Sequence, residues 1–507
     1  MDFTAILPNE LILYIFGFFP TSYPSPLLPA LLTCKRLNTL LAPILYSHIT
    51  LRTVNDPPGF HQPSIDTLCL PENIERLKKY TKLLTLITWM NPMDDDENFT
   101  WDKEIAKWFA SQVITFWTNG QLEECPIEEI YIDSLVVTLA LHPSIRSRVK
   151  STTASAVSLY SNGGPNLDAA CVAEAFTFLS TIYISDLASD FGNFAPCWEF
   201  LQSVQSSLSH ISFRASGGLM MMFINRLGPN KLPGVWEKYN FSVGEGGKKL
   251  DRVKKLELLY VYKLDETISV FNWMVNLDKI TSFRVIGCEV SSKFILAVTP
   301  YMVHLTELNI EVRDGGREVI DEIFSGLKTT VLEKLRVRCR DNRDLHGRVA
   351  IKKGGFEKFK NTLKQLKIEH LIGTGESEEA SEAAPVAGDG DQNGDELNLE
   401  VLAEFSGLQD IAASVFKREG QDFPVLSKLR SICLNGLYDG VETTFVKEFV
   451  ECIISSYNRS NVLLLLQVIV YTDKEEKLRW CNLGAHAGLP AADFGSDEAF
   501  KRTYEEL

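Results

Sequence analysis

Residues 331–340 read VLEKLRVRCR and set Lys334, Arg336, Arg338 and Arg340 at alternate positions. Alternate side chains of an extended strand share one side. The four cations therefore form a row opposite Leu335, Val337 and Cys339. Arg284, Arg313 and Lys367 sit in or beside flanking stretches of similar pattern. Guanidinium forks suit carboxylates and phosphates. The chemistry expected of the row is recognition of an acidic or phosphorylated segment of a target protein. The competing reading is a solvated face neutralised by Glu311, Glu333 and Glu369.

Covalent chemistry has no comparable signature. The chain holds no G-x-S-x-G, no H-E-x-x-H, no G-x-x-x-x-G-K-[ST] and no G-x-G-x-x-G after a strand. Its eight histidines are scattered. Residues 244–249, GEGGKK, lack the strand and helix of a phosphate loop and read as part of an insertion, 228–249. The acidic run Asp94–Glu97 lacks the spacing of a calcium loop and reads as a solvated turn. No enzyme activity, cofactor or metal is expected. An enzyme on an α/β array is the weakest of three readings, because a site assembled from distant residues leaves no local pattern.

The elements that carry the cations repeat. Residues 305–340 run L-x-x-L-x-I, then Val319, Ile320, Ile323, Phe324 and Leu327 at helical spacing, then L-x-x-L-x-V: strand, helix, strand. The first apolar residue of each strand falls at Leu256, Phe283, Leu308, Leu335 and Leu366, in steps of 27, 25, 27 and 31 residues. Weaker copies lie at Ile130, Val157, Ile182 and Ile211, and Ile432 continues the series. So small a unit cannot bury its own apolar face and must stack on copies of itself. The period of roughly 20–29 residues resembles that of leucine-rich repeats, without their usual Asn. The resemblance implies an α/β solenoid with parallel strands on a concave binding face.

The bulk properties agree. Hydrophobic residues make up 45% and charged residues 23% of 507, as in a soluble globular protein. The net charge of −15 argues against nucleic acid as a partner. Residues 374–398 contribute eight acids and neither Lys nor Arg, and their low complexity predicts disorder. That acidic insertion could also fold over the basic row and mask it. The ten cysteines form no C-x-x-C and read as free thiols of a reducing compartment. The longest apolar run, Val462–Val470, is too short for a bilayer. No signal peptide is expected at Met1. These features point to the cytosol or nucleus, where the sequons at Asn98, Asn240 and Asn458 would stay unmodified.

Residues 1–50 form the second informative stretch. Pro8 suits a helix start, and Leu11, Ile12, Ile15, Phe16 and Phe19 make one wide apolar face. Pro20 to Pro29 form a turn. Leu31, Leu32, Cys34, Leu37, Leu40 and Leu41 outline a second helix, which Pro43 is expected to stop before a strand at His48–Leu51. The order Leu7-Pro8-x-Glu10, Ile15-Phe16, Leu31-x-x-Cys34-Lys35-x-Leu37 and Pro43-x-Leu45-Tyr46 resembles an F-box, and the Leu-Tyr before a short strand is similar to fungal forms. Leu37 stands where many F-boxes carry Trp. The resemblance covers about a tenth of the chain. It implies docking of Leu7, Pro8, Leu11, Ile12, Ile15, Phe16, Leu31, Cys34, Leu37 and Leu40 on a Skp-type adaptor, and through it on a cullin. So small a module is rarely stable alone, and its excess apolar surface fits a partner.

The expected organisation is an F-box at 1–50 and a linker with a helical cap at 51–125. The array follows at 126–373, the acidic insertion at 374–398, the last repeats at 399–483 and a polar tail at 484–507. The chain reads as the substrate receptor of a Skp–cullin–F-box ubiquitin ligase. The second reading is a repeat scaffold whose N-terminus only caps the array.

Overall fold

The computed structural model describes residues 9, 35–55, 58–60, 62–87, 103–155, 176, 179–187, 200–215, 249–261, 264, 274–288, 291–312, 316–340, 355–371, 404–413, 425–434, 452–453, 455–456, 458–460, 468–472, 478–482 and 493–494. The chain divides into two compact units, Met1–Arg252 and Val253–Leu507.

In the first unit, helix α1 (Lys35–Ser47) runs without a linker into β1 (His48–Asn55). A short β2 (Pro58–Phe60) turns back antiparallel on β1. Helices α2 (Gln62–Leu68) and α3 (Pro71–Tyr80) then lead to β3 (Leu83–Ile87), parallel to β1. Pro71 opens α3 where its missing N–H costs nothing, and Lys78 and Lys79 sit in the last turn, favourable to the helix dipole. Helix α4 (Lys103–Asn119) precedes β4 (Glu129–Ile132). Helices α5 (Leu135–Ala140) and α6 (Pro143–Arg146) precede β5 (Val149–Ser155). β6 (Thr181–Leu187) and β7 (His210–Ala215) follow, each strand parallel to the one before.

The second unit repeats the plan. β8 (Lys255–Leu259), β9 (Ser282–Ile286), helix α7 (Ser291–Val298), β10 (Glu307–Val312), helix α8 (Gly316–Gly326), β11 (Lys334–Arg340) and β12 (Gln365–Leu371) follow in order. β13 (Asp410–Ala413), β14 (Ser431–Leu434) and β15 (Val468–Thr472) extend the parallel ladder. β16 (Leu478–Asn482) and β17 (Asp493–Phe494) close it antiparallel.

The predicted phase holds residue by residue. Leu256 pairs with Phe283, Phe283 with Leu308, Leu308 with Leu335 and Leu335 with Leu366. The row goes on through Ile411 to Ile432, every member at most 2% exposed. The residue three places earlier is also buried each time: Val253, Ile280, Leu305, Leu332, Leu363, Leu408 and Leu429. Between these two anchors a shared carbonyl links neighbouring repeats. The Thr306 carbonyl accepts N–H from Glu333 (2.8 Å) and Lys334 (3.0 Å), and the Glu333 carbonyl accepts from Lys364 and Gln365. The same link recurs at Lys254, Thr281, Lys364 and Gln409, so these repeats enter their strands already bonded to the previous one.

Several expectations are corrected. Pro43 does not stop α1, because Ala42 and Tyr46 on either side of it belong to the core and hold the helix through the break. The parallel ladder starts at β1, well before residue 126. Leu84, within the stretch read as linker and helical cap, lies in β3. Residues 52–66, read as a linker, contribute the end of β1, β2 and the start of α2. The strand assigned around Val157 lies at Val149–Ser155, with Thr152 and Ala154 fully buried. Thr152 was invisible to an apolar pattern because its hydroxyl is satisfied by that of Thr138, 3.3 Å away. Ile411 lies in β13, so one more strand sits between Leu366 and Ile432 than the series of anchors predicts. β15 is not the last strand, and β17 falls within the stretch read as a polar tail. The acidic insertion lies outside the described residues.

Candidate binding faces

Of the residues matching the F-box pattern, Leu7, Pro8, Leu11, Ile12, Ile15, Phe16, Leu31 and Cys34 lie outside the described residues. Leu37 is 6% exposed, so its bulk faces this chain and not a partner. Leu40 is half-buried. Helix α1 is fastened on two sides. Arg36 donates through Nε and Nη2 to Asn9 Oδ1, at 3.0 and 2.6 Å. Tyr46 donates its hydroxyl to Asn73 Oδ1 on α3 at 2.6 Å. Arg76 lies over the Tyr46 ring and donates to Asn38 Oδ1 at 3.0 Å. Ala42 and Tyr46 share one core with Leu77 of α3 and with Ile49, Leu84 and Ile130 of the strands. The helix is therefore part of the first unit and not a tethered module.

The basic row is assembled by strand register. Arg284, Asn309, Arg336 and Lys367 are successive lateral neighbours on β9 to β12. Lys334 lies below Arg336 and Arg338 above it on β11. Arg313 and the Arg340 side chain lie outside the described residues. The row is not a bare cationic stripe. Lys334 Nζ is 2.9 Å from Glu307 Oε1, its lateral neighbour on β10. Arg284 Nη1 is 3.8 Å from Glu257 Oε1, its neighbour on β8. Lys364 pairs with Glu333 at 2.8 Å. Lys367 is only 4% exposed, so it is removed from the set offered to a partner, and Arg336 and Arg338 are half-buried. Lys334 and Arg284 each face a carboxylate on the neighbouring strand, where a like charge would repel, whereas Arg336 lies opposite Lys367.

Burial pushes the Glu307 carboxyl up, but the Lys334 ammonium bonded to it, the Ser282 hydroxyl and the Lys255 charge outweigh burial and hold it below the usual glutamate range. A carboxylate held low in the folded state adds stability above its unfolded pKa of about 4.3, lost as pH falls through the folded value. Glu307→Gln should therefore lie below wild type in thermal midpoint at pH ~5 and converge with it towards pH ~3. A gap that persists unchanged across that range would deny the carboxylate this role.

Two features of this face escaped the sequence. Glu311 is 3% exposed and accepts the Gly287 N–H at 3.1 Å, so it anchors a strand end and is not a surface counter-charge. Cys288 is fully buried with Sγ 3.5 Å from the Leu258 and Ile286 carbonyls. It closes the pattern Ile280-x-x-Phe283-x-Val285-x-x-Cys288, whose other named members are buried too.

Among the described residues Cys69, Cys125, Cys288 and Cys452 stand outside any disulfide. Burial, the largest influence, pushes the Cys125 thiol up to about 11 and Glu124 adds to it, while Lys78 and Arg148 pull it down. Also among the described residues, no cluster of His, Cys, Asp or Glu could hold a metal. No helix there is long and apolar enough to cross a membrane. The acidic run Asp94–Glu97 lies outside them. No family model matches the chain, and no curated protein matches it.

Proposed function

We propose that this chain is the substrate-recognition subunit of a Skp–cullin–F-box ubiquitin ligase: its N-terminal helices dock on the Skp-type adaptor and its parallel-strand array holds the target. The observation that carries the reading is the union of α1 with the first unit. The helix that opens with Lys35-x-Leu37 of the F-box pattern shares a core with β1 and α3. Anything bound to α1 is then held in fixed relation to that unit. A receptor needs this, because it works by raising the target's effective concentration at the ligase and not by chemistry of its own.

A repeat scaffold with a capped N-terminus is the second reading, favoured by the burial of Leu37. Co-purification separates them. The full chain should retain a co-expressed Skp-type adaptor, and Leu7→Ala with Pro8→Ala should release it while leaving the melting of the array unchanged. Undiminished capture by that double variant would favour the cap.

A further inference from the structure

The first sheet carries rings and carboxylates on the side away from its core. Ile130, Ile132, Ile182 and Ile184 are fully buried, so the residues alternating with them point the other way. On that side β4 carries Glu129 and Tyr131, with Asp133 just past its end, and β5 and β6 add Thr153 and Tyr183, all half-buried. The Tyr131 and Tyr183 rings meet edge to face, with centroids 6.2 Å apart and planes at 89°. Tyr183 makes a second steep contact with His210 of β7, at 5.7 Å and 73°. A hydrogen bond of 3.3 Å between the Tyr131 and Thr153 hydroxyls, and the lateral pairing of Thr153 with Tyr183, tie the first two rings to the same strand, β5. We propose that Tyr131 and Tyr183, together with the Asp133 and Glu129 carboxylates, form a receptor for an arginine side chain of a target protein. The inference rests on the reading of the array as a target receptor and names a group that the target carries.

Charge selects this ligand. Ring faces carry the negative side of their quadrupole and attract cations, guanidinium most often. Carboxylates stand on either side of Tyr131 along β4. Burial, the largest influence, raises the Tyr131 phenol above its ordinary value; the Thr153 hydrogen bond lowers it and the Asp133 charge raises it again, so that carboxylate acts at the ring. Burial holds His48, on the same side of β1, below the ordinary histidine range, so it adds no positive charge at neutral pH. Arg52 of β1 and Arg214 of β7 lie to the flanks. A guanidinium can lie flat on a ring while its fork reaches a carboxylate, whereas an ammonium is a point charge without a flat face. The ring pair is set before the ligand arrives, so little order is lost on binding.

The test uses the full chain at about pH 8, above the ordinary histidine range, and three fluorescent Gly-Ser peptides that carry arginine, lysine or citrulline at the same positions. Anisotropy should show the arginine peptide binding tightest and the citrulline peptide, which keeps the shape but not the charge, binding least. Tyr183→Leu should weaken the arginine peptide by about tenfold, and Asp133→Asn should weaken it and flatten its salt dependence. Tyr131→Phe, which keeps the ring, should leave it unchanged. The tyrosine variants do not alter the net charge, so general attraction to this acidic chain would survive Tyr183→Leu. Circular dichroism of every variant checks the fold, and the peptide comparison needs no variant at all. Arginine binding no tighter than lysine or citrulline, or undiminished by Tyr183→Leu, would overturn the proposal. No adaptor is present, so that result leaves the ligase reading to its co-purification test, and loss of adaptor capture leaves this inference untouched.

Discussion

Phe324→Ala is expected to destabilise the second unit by about 3–5 kcal/mol. The ring is fully buried on α8, and its centroid lies 4.5 Å from that of Phe356, which belongs to the next repeat. Truncation therefore opens a cavity between repeats. The site cannot collapse easily, because a Cβ built on Gly355 would already lie 2.9 Å from the Phe324 Cβ. The backbones there are as close as they can come. A second link survives the substitution: Lys358 Nζ donates to the Phe324 carbonyl at 2.7 Å and to that of Leu327, capping the last turn of α8 from the same neighbouring segment. The helix stays tethered while the ring packing disappears. In a stacked array stability is the sum of repeat terms and neighbour terms, and this ring pair belongs to the neighbour term. Hydrogen exchange should show the amides of α8 and β12 losing protection together while those of β8 and β9 keep theirs. Loss confined to α8 would mean that the rings do not couple the two repeats.

What could be read in advance follows from how each residue is satisfied. Leu256, Phe283, Leu308, Leu335 and Leu366 have one way to be buried in a strand, so period-2 alternation located them and their spacing set the register. Thr152 occupies an equivalent inward place, but its burial depends on the Thr138 hydroxyl, which no apolar pattern contains. Ile411 is not in the predicted series, because Phe405, Leu408 and Ile411 fall three apart, as on a helix face. A chain turning into a strand can bury residues at that spacing as a helix does, and Leu408 and Ile411 are in fact the two anchors of a repeat. Charges were the least readable. Lys334 and Glu307 are 27 residues apart, and nothing local marks them as partners. Register makes them neighbours, so the mixed character of the basic row follows from the ladder and not from either strand alone. Glu311 has the sequence context of one more surface acid, and only the fold places it under the Gly287 N–H.

Gly287→Ala is expected to cost about 2–5 kcal/mol, from two terms that a second substitution can separate. Gly287 has φ +68°, the left-handed region that an L side chain enters at a cost of about 1–2 kcal/mol. An added Cβ would also lie 2.3 Å from Tyr260 Cδ1 and 2.6 Å from Cε1, far inside contact distance. The ring cannot be moved aside by a backbone shift, because Tyr260 is itself held at φ 59° with its N–H donated to the Ile286 carbonyl at 2.8 Å. Neither can Gly287 retreat, since its own N–H is bonded to buried Glu311. Tyr260→Ala removes the ring but leaves the backbone where it is. As Tyr260 is 43% exposed, that change alone should cost little. The double variant should then recover the collision and keep the conformational term, making it more stable than Gly287→Ala alone. Thermal midpoints of the four proteins in this cycle give the coupling directly. Additive costs would mean that the glycine is required by its backbone angle alone, and that the Tyr260 ring rests on it without constraint.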